Sequence, residues 1–313
     1  MLPSRPMPVR VLVCFRLLSF LVFVASAADA HAQSSSPGPI KVVATIPVLK
    51  DFAEQVGREH VEVTSLMTGL ESEHTYSPRP SDIVAVRKAH LLLEVGVGLE
   101  VWVTSLVKNA GNSRLRVVTT SKGIGLVRDR DNEVQETGES HHGGNPHIWL
   151  DPENAKIMVR HITEALTHVD PQHAAEYRDH QADYLRQLDQ VEGELLRRVK
   201  ALSDRRLIVY HPAWPYFARR FGFRVVDAIV LQSGAEPSAH HLQKLIARIR
   251  KDGIRVIVSE PQMNPKIPEM LARETQARVV VLSALPGAIP GTETYLNLLR
   301  YNVGQLADAL QSA

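Results

Sequence analysis

The chain has 313 residues, of which 36 are basic and 34 acidic, and its formal net charge is +2. This near balance argues against nucleic acid as a partner, and a chain of this length can form two domains of ordinary size. The single cysteine, Cys14, excludes an intramolecular disulfide.

Residues 1–32 have the pattern of a secretory signal peptide. Arg5 and Arg10 precede an apolar run over residues 17–28, and small residues follow up to Ala32. The order of basic, apolar and A-x-A segments is typical of a cleaved signal, and the run is shorter than the roughly 20 apolar residues that span a bilayer. We expect cleavage after Ala32, with Ala30 as the alternative.

Removing this segment changes the composition of the exported chain. It takes away three of the 36 basic and one of the 34 acidic residues, so that 33 of each remain, and it takes away Cys14. Because Cys14 precedes the main apolar run, we expect no lipid anchor. A metal site in the mature chain must therefore use His, Asp or Glu. Export without disulfides fits a bacterial periplasm.

Eight short runs of Val, Ile and Leu predict strands that are buried on both faces of parallel sheets. Helical segments separate them, so each set of four predicts one α/β lobe. The first set is Val42–Ile46, Val61–Met67, Leu91–Val97 and Leu115–Thr120, and the second is Arg206–Tyr210, Arg224–Val230, Arg255–Ser259 and Arg278–Ser283.

One long helix is predicted between the two sets. Asp170-Pro171 suits a helix start, and no proline follows until Pro212. Apolar residues recur at helical spacing from Tyr184 to Leu202, which predicts about 30 helical residues, roughly 45 Å in length. We therefore predict an N-terminal lobe at 33–169, a linking helix at 170–203 and a C-terminal lobe at 204–313.

Three histidines share a setting that suits a ligand site. His74 and His147 lie in loops that precede helices, and His211 follows a buried strand. Loops at the carboxyl ends of parallel strands are where α/β proteins place ligand sites, so the three side chains can meet in the cleft between the lobes. The alternative for each histidine is a packed side chain that bonds to a backbone carbonyl.

The chain resembles a known family in five segments that occur in the family's order. They are GLESEHTYSPRPSDIVAVRKAHLLLEVG, NPHIWLDPENAKIM, YHPAWPYFARRFGF, EPSAHHLQKLIARIRKDGIRVIVSEPQ and TYLNLLRYNV. The resemblance is to the periplasmic zinc/manganese-binding proteins of ABC transporters, the group of ZnuA-like and TroA-like proteins and streptococcal adhesin lipoproteins. It extends from about residue 40 to the C-terminus. It implies two α/β lobes joined by a long helix, with one divalent metal ion bound between them.

The resemblance also implies the ligands. His74 and His147 match the first two, and His211 matches a third position that is Glu in many manganese-type members. The fourth ligand is often an Asp, and here that place holds Glu293. We expect Glu293 to complete the metal site, and the alternative is an acid at a helix N-terminus.

Several nearby residues have weaker patterns. The segment 129–144 carries only His141 and His142, where many zinc-type relatives have a long histidine-rich loop. It is either a small auxiliary capture loop or a solvated one. We expect the pair His240-His241 to lie on a helix surface.

Two acids also lie close to these motifs. Glu260 follows a buried strand, and we expect it to be a structural acid near the cleft. Glu73 precedes His74 directly and could offer an oxygen, but we expect it to face solvent.

Three imidazoles with at most one carboxylate favour Zn²⁺, while Mn²⁺ and Fe²⁺ stay alternatives. We expect a monomeric binding protein that captures the ion and delivers it to an inner-membrane ABC permease. A secreted zinc hydrolase would need a general base close to a metal-bound water, and no recognisable catalytic motif supplies one. An adhesin is the third alternative, and no aromatic stripe or repeat supports it.

Overall fold

The computed structural model of the protein describes residues 38–128, 144–231 and 236–311. The predicted signal peptide and the pair His141-His142 lie outside these ranges. Within them, none of the helices is long and apolar enough to cross a membrane.

The first lobe is built on four parallel strands, as predicted. In chain order they are β1 (Ile40–Ala44), β2 (Val61–Ser65), β3 (Leu91–Glu94) and β4 (Arg116–Thr119). Their order across the sheet is β2-β1-β3-β4. The helices of this lobe are α1 (Pro47–Gly57), α2 (Pro80–Lys88), α3 (Val103–Ala110) and α4 (Pro152–Val169). Three of them begin with proline, whose fixed φ suits the first helical position.

The second lobe repeats this order. Its strands are β5 (Arg206–Val209), β6 (Arg224–Ala228), β7 (Val256–Ser259) and β8 (Arg278–Val281), arranged as β6-β5-β7-β8 and all parallel. Its helices are α6 (Pro215–Phe221), α7 (Ala239–Asp252), α8 (Lys266–Thr275) and α9 (Tyr295–Gln311). The prediction of two parallel-sheet lobes is confirmed.

Some strands end earlier than the apolar runs that predict them. The run after β3 extends to Val97, but the strand ends at Glu94. The backbone N–H groups of Val95 and Gly96 donate to the buried carboxylate of Glu100 instead of to a neighbouring strand. A side chain thus satisfies the backbone at this edge and ends the ladder.

The linking helix is α5 (Ala174–Lys200), which has 27 residues and follows a 3-10 turn at Pro171–His173. Its length is about 40 Å. The predicted apolar stripe is buried, from Tyr184 to Val199. The long helix is therefore confirmed, with its first turn wound more tightly than an α-helix.

The two lobes are joined by buried contacts as well as by α5. The indole N–H of Trp149 donates to the carbonyl of Ala284 at 2.7 Å, and the backbone N–H of Tyr295 donates to Asp51 at 2.9 Å. One apolar core continues across both lobes, and α9 packs against α5 and α1. Because one core crosses them, the boundaries at residues 169 and 203 stay a prediction.

Candidate metal centre

The three predicted histidines meet in one group. His74 lies in the loop between β2 and α2, His147 precedes a 3-10 turn before α4, and His211 lies two residues after β5. One ligand atom from each of these side chains, and one from Glu73, lie within 4.8 Å of one another. We call these four residues the cleft cluster.

Two separations in the cleft cluster match those of atoms that share a metal ion. His74 Nε2 lies 3.2 Å from His147 Nε2, which in turn lies 3.1 Å from Glu73 Oε1. The donor atoms around a tetrahedral zinc ion, each roughly 2 Å from the metal, lie about 3.3 Å apart. The observed distances are therefore close to two edges of such a tetrahedron.

The three imidazole rings are also steeply inclined to one another. The ring of His74 makes an angle of 61° with that of His147 and 87° with that of His211, and the last two rings meet at 70°. The lone pair of an imidazole nitrogen lies in the plane of its ring. Rings inclined in this way can direct their lone pairs at one point from different sides, as a tetrahedral ion requires.

Two of the rings are oriented by acceptors behind them. Nδ1 of His147 donates to the side-chain oxygen of Asn145 at 3.0 Å, and Nδ1 of His211 donates to Glu260 at 2.7 Å. Because these acceptors hold the Nδ1 proton, the lone pair of the neutral ring is on Nε2. Such partners fix the tautomer and the ring direction of metal-binding histidines.

The position of His211 and Glu260 follows from the strand order. β5 and β7 are neighbours at the point where the order of the second sheet reverses. His211 comes soon after β5, and Glu260 comes directly after β7. The carboxyl ends of such strand pairs form a crevice in which α/β proteins bind ligands. The expectation that Glu260 is a structural acid near the cleft is confirmed, since it is buried against His211.

Asn145 connects the two halves of the cleft cluster. Its amide nitrogen donates to the carbonyl of Pro212 at 2.7 Å, and its backbone carbonyl accepts from the hydroxyl of Tyr216 at 2.8 Å. The side chain that orients His147 is thus bonded to the residue that follows His211. These contacts fix the distance between the two lobes at the site.

The expectation that Glu73 faces solvent is wrong. Glu73 is 2 % exposed, and the indole N–H of Trp102 donates to its backbone carbonyl at 3.4 Å. A buried carboxylate is stable only when it is paired or bound to a metal ion. The sequence places Glu73 beside His74 but contains no signal that turns both side chains inward.

Glu293 does not belong to the cleft cluster. Its side chain is exposed, and Oε1 accepts from the backbone N–H of Gly291 at 2.8 Å, which lowers the pKa of the carboxyl group. Glu293 lines a different cavity of about 730 Å³ beside α1 and β2. A local backbone bond therefore holds the carboxylate near its own loop and outside the cleft cluster, and the assignment of Glu293 as a metal ligand stays a prediction.

The pair His240-His241 lies at the start of α7, as expected. His240 is exposed, and Nε2 of His241 bonds to the carbonyl of Ala228 at 2.8 Å. Neither residue is in a metal-binding group among the residues that the structure describes.

Comparison with known proteins agrees with this geometry. Residues 42–309 match the family model for the periplasmic zinc-uptake complex component A, ZnuA. The chain belongs to this family. Members are periplasmic metal-binding components of ABC uptake systems, not enzymes, so the predictions of family and general function are confirmed.

Individual relatives are similar over nearly their whole length. The ZnuA of Bacillus subtilis, a high-affinity zinc uptake system protein, is 26 % identical, with 95 % of this chain and 96 % of the relative covered. The iron-binding protein YfeA of Yersinia pestis is 27 % identical, with 95 % of each chain covered. A crystal structure of ZnuA superposes with a TM-score of 0.77 at 27 % identity, covering 86 % of this chain and 98 % of that one.

Proposed function

We propose that this chain captures Zn²⁺ with His74, His147, His211 and Glu73 and delivers it to an inner-membrane ABC permease. The observation that carries the proposal is the convergence of three inclined imidazoles and one carboxylate within 4.8 Å, with two of the donor separations near the edge of a zinc tetrahedron. The name of the Bacillus subtilis relative supports the same metal.

The choice of metal rests on the donor set. Three imidazole nitrogens and one carboxylate oxygen suit Zn²⁺, whereas Mn²⁺ favours more carboxylate and water ligands. Mn²⁺ and Fe²⁺ are the alternatives. Fe²⁺ is kept because an iron-binding relative is as similar to this chain as the zinc-uptake protein is.

Glu73 is the better candidate for the fourth ligand. Its Oε1 lies 3.1 Å from His147 Nε2, within the group of histidines, while Glu293 is bonded to Gly291 and exposed. The chain carries both acids, so each serves as the matched control for the other.

Three further features belong to the proposal. We infer that residues 1–32 are a cleaved signal peptide, that the protein acts as a monomer, and that the lobes divide at residues 169 and 203. The buried contacts of Trp149 and Asn145 across the lobes favour a cleft that changes little when the ion binds.

Titration of metal-free mature protein with zinc, in competition with a chelator, tests the function. We expect one tight ion per chain, and we expect manganese to bind more weakly. Zinc should also raise the melting temperature, because it binds the folded state. Tighter binding of manganese than of zinc would reverse the choice of metal, and the absence of any tight site would refute the proposal.

A further inference from the structure

A second group of metal-ligating side chains lies away from the cleft cluster. It consists of His60, His173 and Glu176, and one ligand atom from each lies within 4.8 Å of the others. We call these three residues the base cluster. We propose that the base cluster binds a second divalent cation of the zinc, nickel or copper type, more weakly than the cleft cluster binds its ion.

The base cluster lies at the opposite edge of the first sheet. His60 directly precedes β2, whereas His74 follows the carboxyl end of the same strand. A strand of five residues is roughly 16 Å long. The two clusters therefore cannot share an ion, and the metal affinity of each can be measured separately.

The donor set suits a borderline divalent ion. Two imidazoles and one carboxylate favour Zn²⁺, Ni²⁺ and Cu²⁺ over Mg²⁺ or Ca²⁺, which prefer oxygen ligands. His173 and Glu176 lie three residues apart at the start of α5. His60 is the last residue of the 3-10 turn Arg58–His60, which follows α1. An ion bound here would connect the first lobe directly to the linking helix.

One histidine of the base cluster has the support that a metal ligand needs. Nδ1 of His173 donates to Asp170 at 2.6 Å, and Asp170 also accepts from the hydroxyl of Tyr177 at 2.6 Å. This places the lone pair of the neutral ring on Nε2, as Glu260 does for His211 in the cleft cluster. Asp170 is thus a positioning residue for the proposed site.

The second histidine, His60, is held in place by a hydrogen bond to another member of the base cluster. Nε2 of His60 donates to Glu176 at 2.8 Å, because a carboxylate can only accept. An ion that binds Nε2 takes the place of this proton, and the neutral ring then carries its proton on Nδ1 instead.

The rings of the base cluster must move when an ion binds. Those of His60 and His173 are stacked, with centroids 3.9 Å apart and an interplanar angle of 20°. Nearly parallel rings cannot direct in-plane lone pairs at one ion, so one ring must rotate. Their side chains are 18 % and 29 % exposed, which leaves room for this rotation. The cost of unstacking is the reason for the lower affinity.

A third group of close side chains in the described residues contains only carboxylates and is already neutralised by a lysine. Glu153, Asp189 and Glu192 lie close together, but the ammonium group of Lys156 bonds to all three. A protein cation already neutralises these carboxylates. Among the described residues, no lysine or arginine forms an ion pair with Glu176, whose ion-pair partner is His60.

Calorimetric titration of the metal-free mature protein with Zn²⁺ tests the proposal. We expect a tight event followed by a weaker one. His173→Ala should weaken the second event at least tenfold and leave the first unchanged, and the unchanged first event shows that the variant is folded. Glu176→Gln, on an exposed helix position, should act in the same direction. Asp170→Asn should weaken the second event 10- to 100-fold, the usual effect of losing a supporting partner.

Two controls separate the base cluster from other histidines. His240→Ala, at an exposed position on α7, and the double variant His141→Ala/His142→Ala should both keep the second event. Imidazole nitrogen resonances of His60 and His173 should shift only after the first equivalent of zinc. The proposal is overturned if the wild type has no second event, if His173→Ala keeps it, or if the double variant alone loses it. The difference between wild type and His173→Ala does not depend on which metal the cleft cluster binds.

Discussion

The cleft cluster and the base cluster contain similar side chains, but their surroundings prepare them differently for a metal ion. In the cleft cluster, His147 and His211 are buried and oriented from behind by Asn145 and Glu260, and the rings are inclined at 61° to 87°. In the base cluster the two rings are stacked at 20° and partly exposed. The same residue types therefore form a prepared site in one place and a site that must rearrange in the other.

The difference shows that supporting contacts matter as much as ligand identity. A ligand whose direction is fixed loses little freedom when the ion binds, whereas a ring that must unstack and turn lowers the affinity. The buried acid Glu73 adds to the contrast, since its side-chain oxygen lies against His147 in the cleft cluster. Glu176 instead lies on an exposed helix face.

The largest predicted effect is the pH dependence of zinc binding, which differs between the clusters. Imidazole must be neutral to bind a metal ion, and ordinary histidine becomes protonated near pH 6.5. Because each of these histidines must be neutral to bind zinc, zinc affinity should fall more steeply between pH 7.5 and 5.5 at the cleft cluster, which has three, than at the base cluster, which has two. Chelator competition across this pH range measures both. A cleft affinity that does not change with pH would mean that carboxylates, not imidazoles, hold the ion.

The next effect comes from removing a ligand of the cleft cluster. We expect His147→Ala to weaken tight zinc binding by more than about 100-fold, since loss of a mere supporting partner already costs 10- to 100-fold. His74→Ala and His211→Ala should behave alike. His241→Ala, which removes a bond to a carbonyl on the second lobe, should change zinc affinity less than about twofold. Equal small losses of zinc affinity in all four variants would show that the cleft cluster does not bind the ion.

The identity of the fourth ligand is tested by a pair of conservative variants. Glu73→Gln should weaken zinc binding by about 10- to 100-fold, because water then replaces a charged oxygen. Glu293→Gln should leave the affinity for zinc unchanged. Titration of both variants with zinc and with manganese decides between the two acids. A loss in Glu293→Gln alone would show that its loop moves to the cleft when the ion binds.

The smallest effect concerns a residue that does not touch the ion. Glu260→Gln keeps an acceptor for Nδ1 of His211 but removes the charge, so we expect about a tenfold loss of zinc affinity. Glu269→Gln, at an exposed position on α8, is the matched control. The wild-type affinity in Glu260→Gln would show that position alone, and not charge, orients His211.

The sequence by itself determines the architecture and the three histidines. Continuous apolar runs mark strands that are covered on both faces, and the apolar spacing from Tyr184 onward identifies the linking helix, because both patterns depend only on local periodicity. The local sequence makes His74, His147 and His211 candidates, because each lies in a loop or at a strand end, and the family resemblance assigns them as ligands.

Only the tertiary structure decides which acids face the histidines. Glu73 is buried although it is expected to face solvent, and Glu293 is exposed although the family resemblance assigns it to the metal site, because a loop's path depends on what packs against it. The base cluster has the same origin. His60 and His173 are 113 positions apart, and no local pattern joins them. They meet because α5 packs against α1, and this contact follows from the shared core rather than from either segment alone.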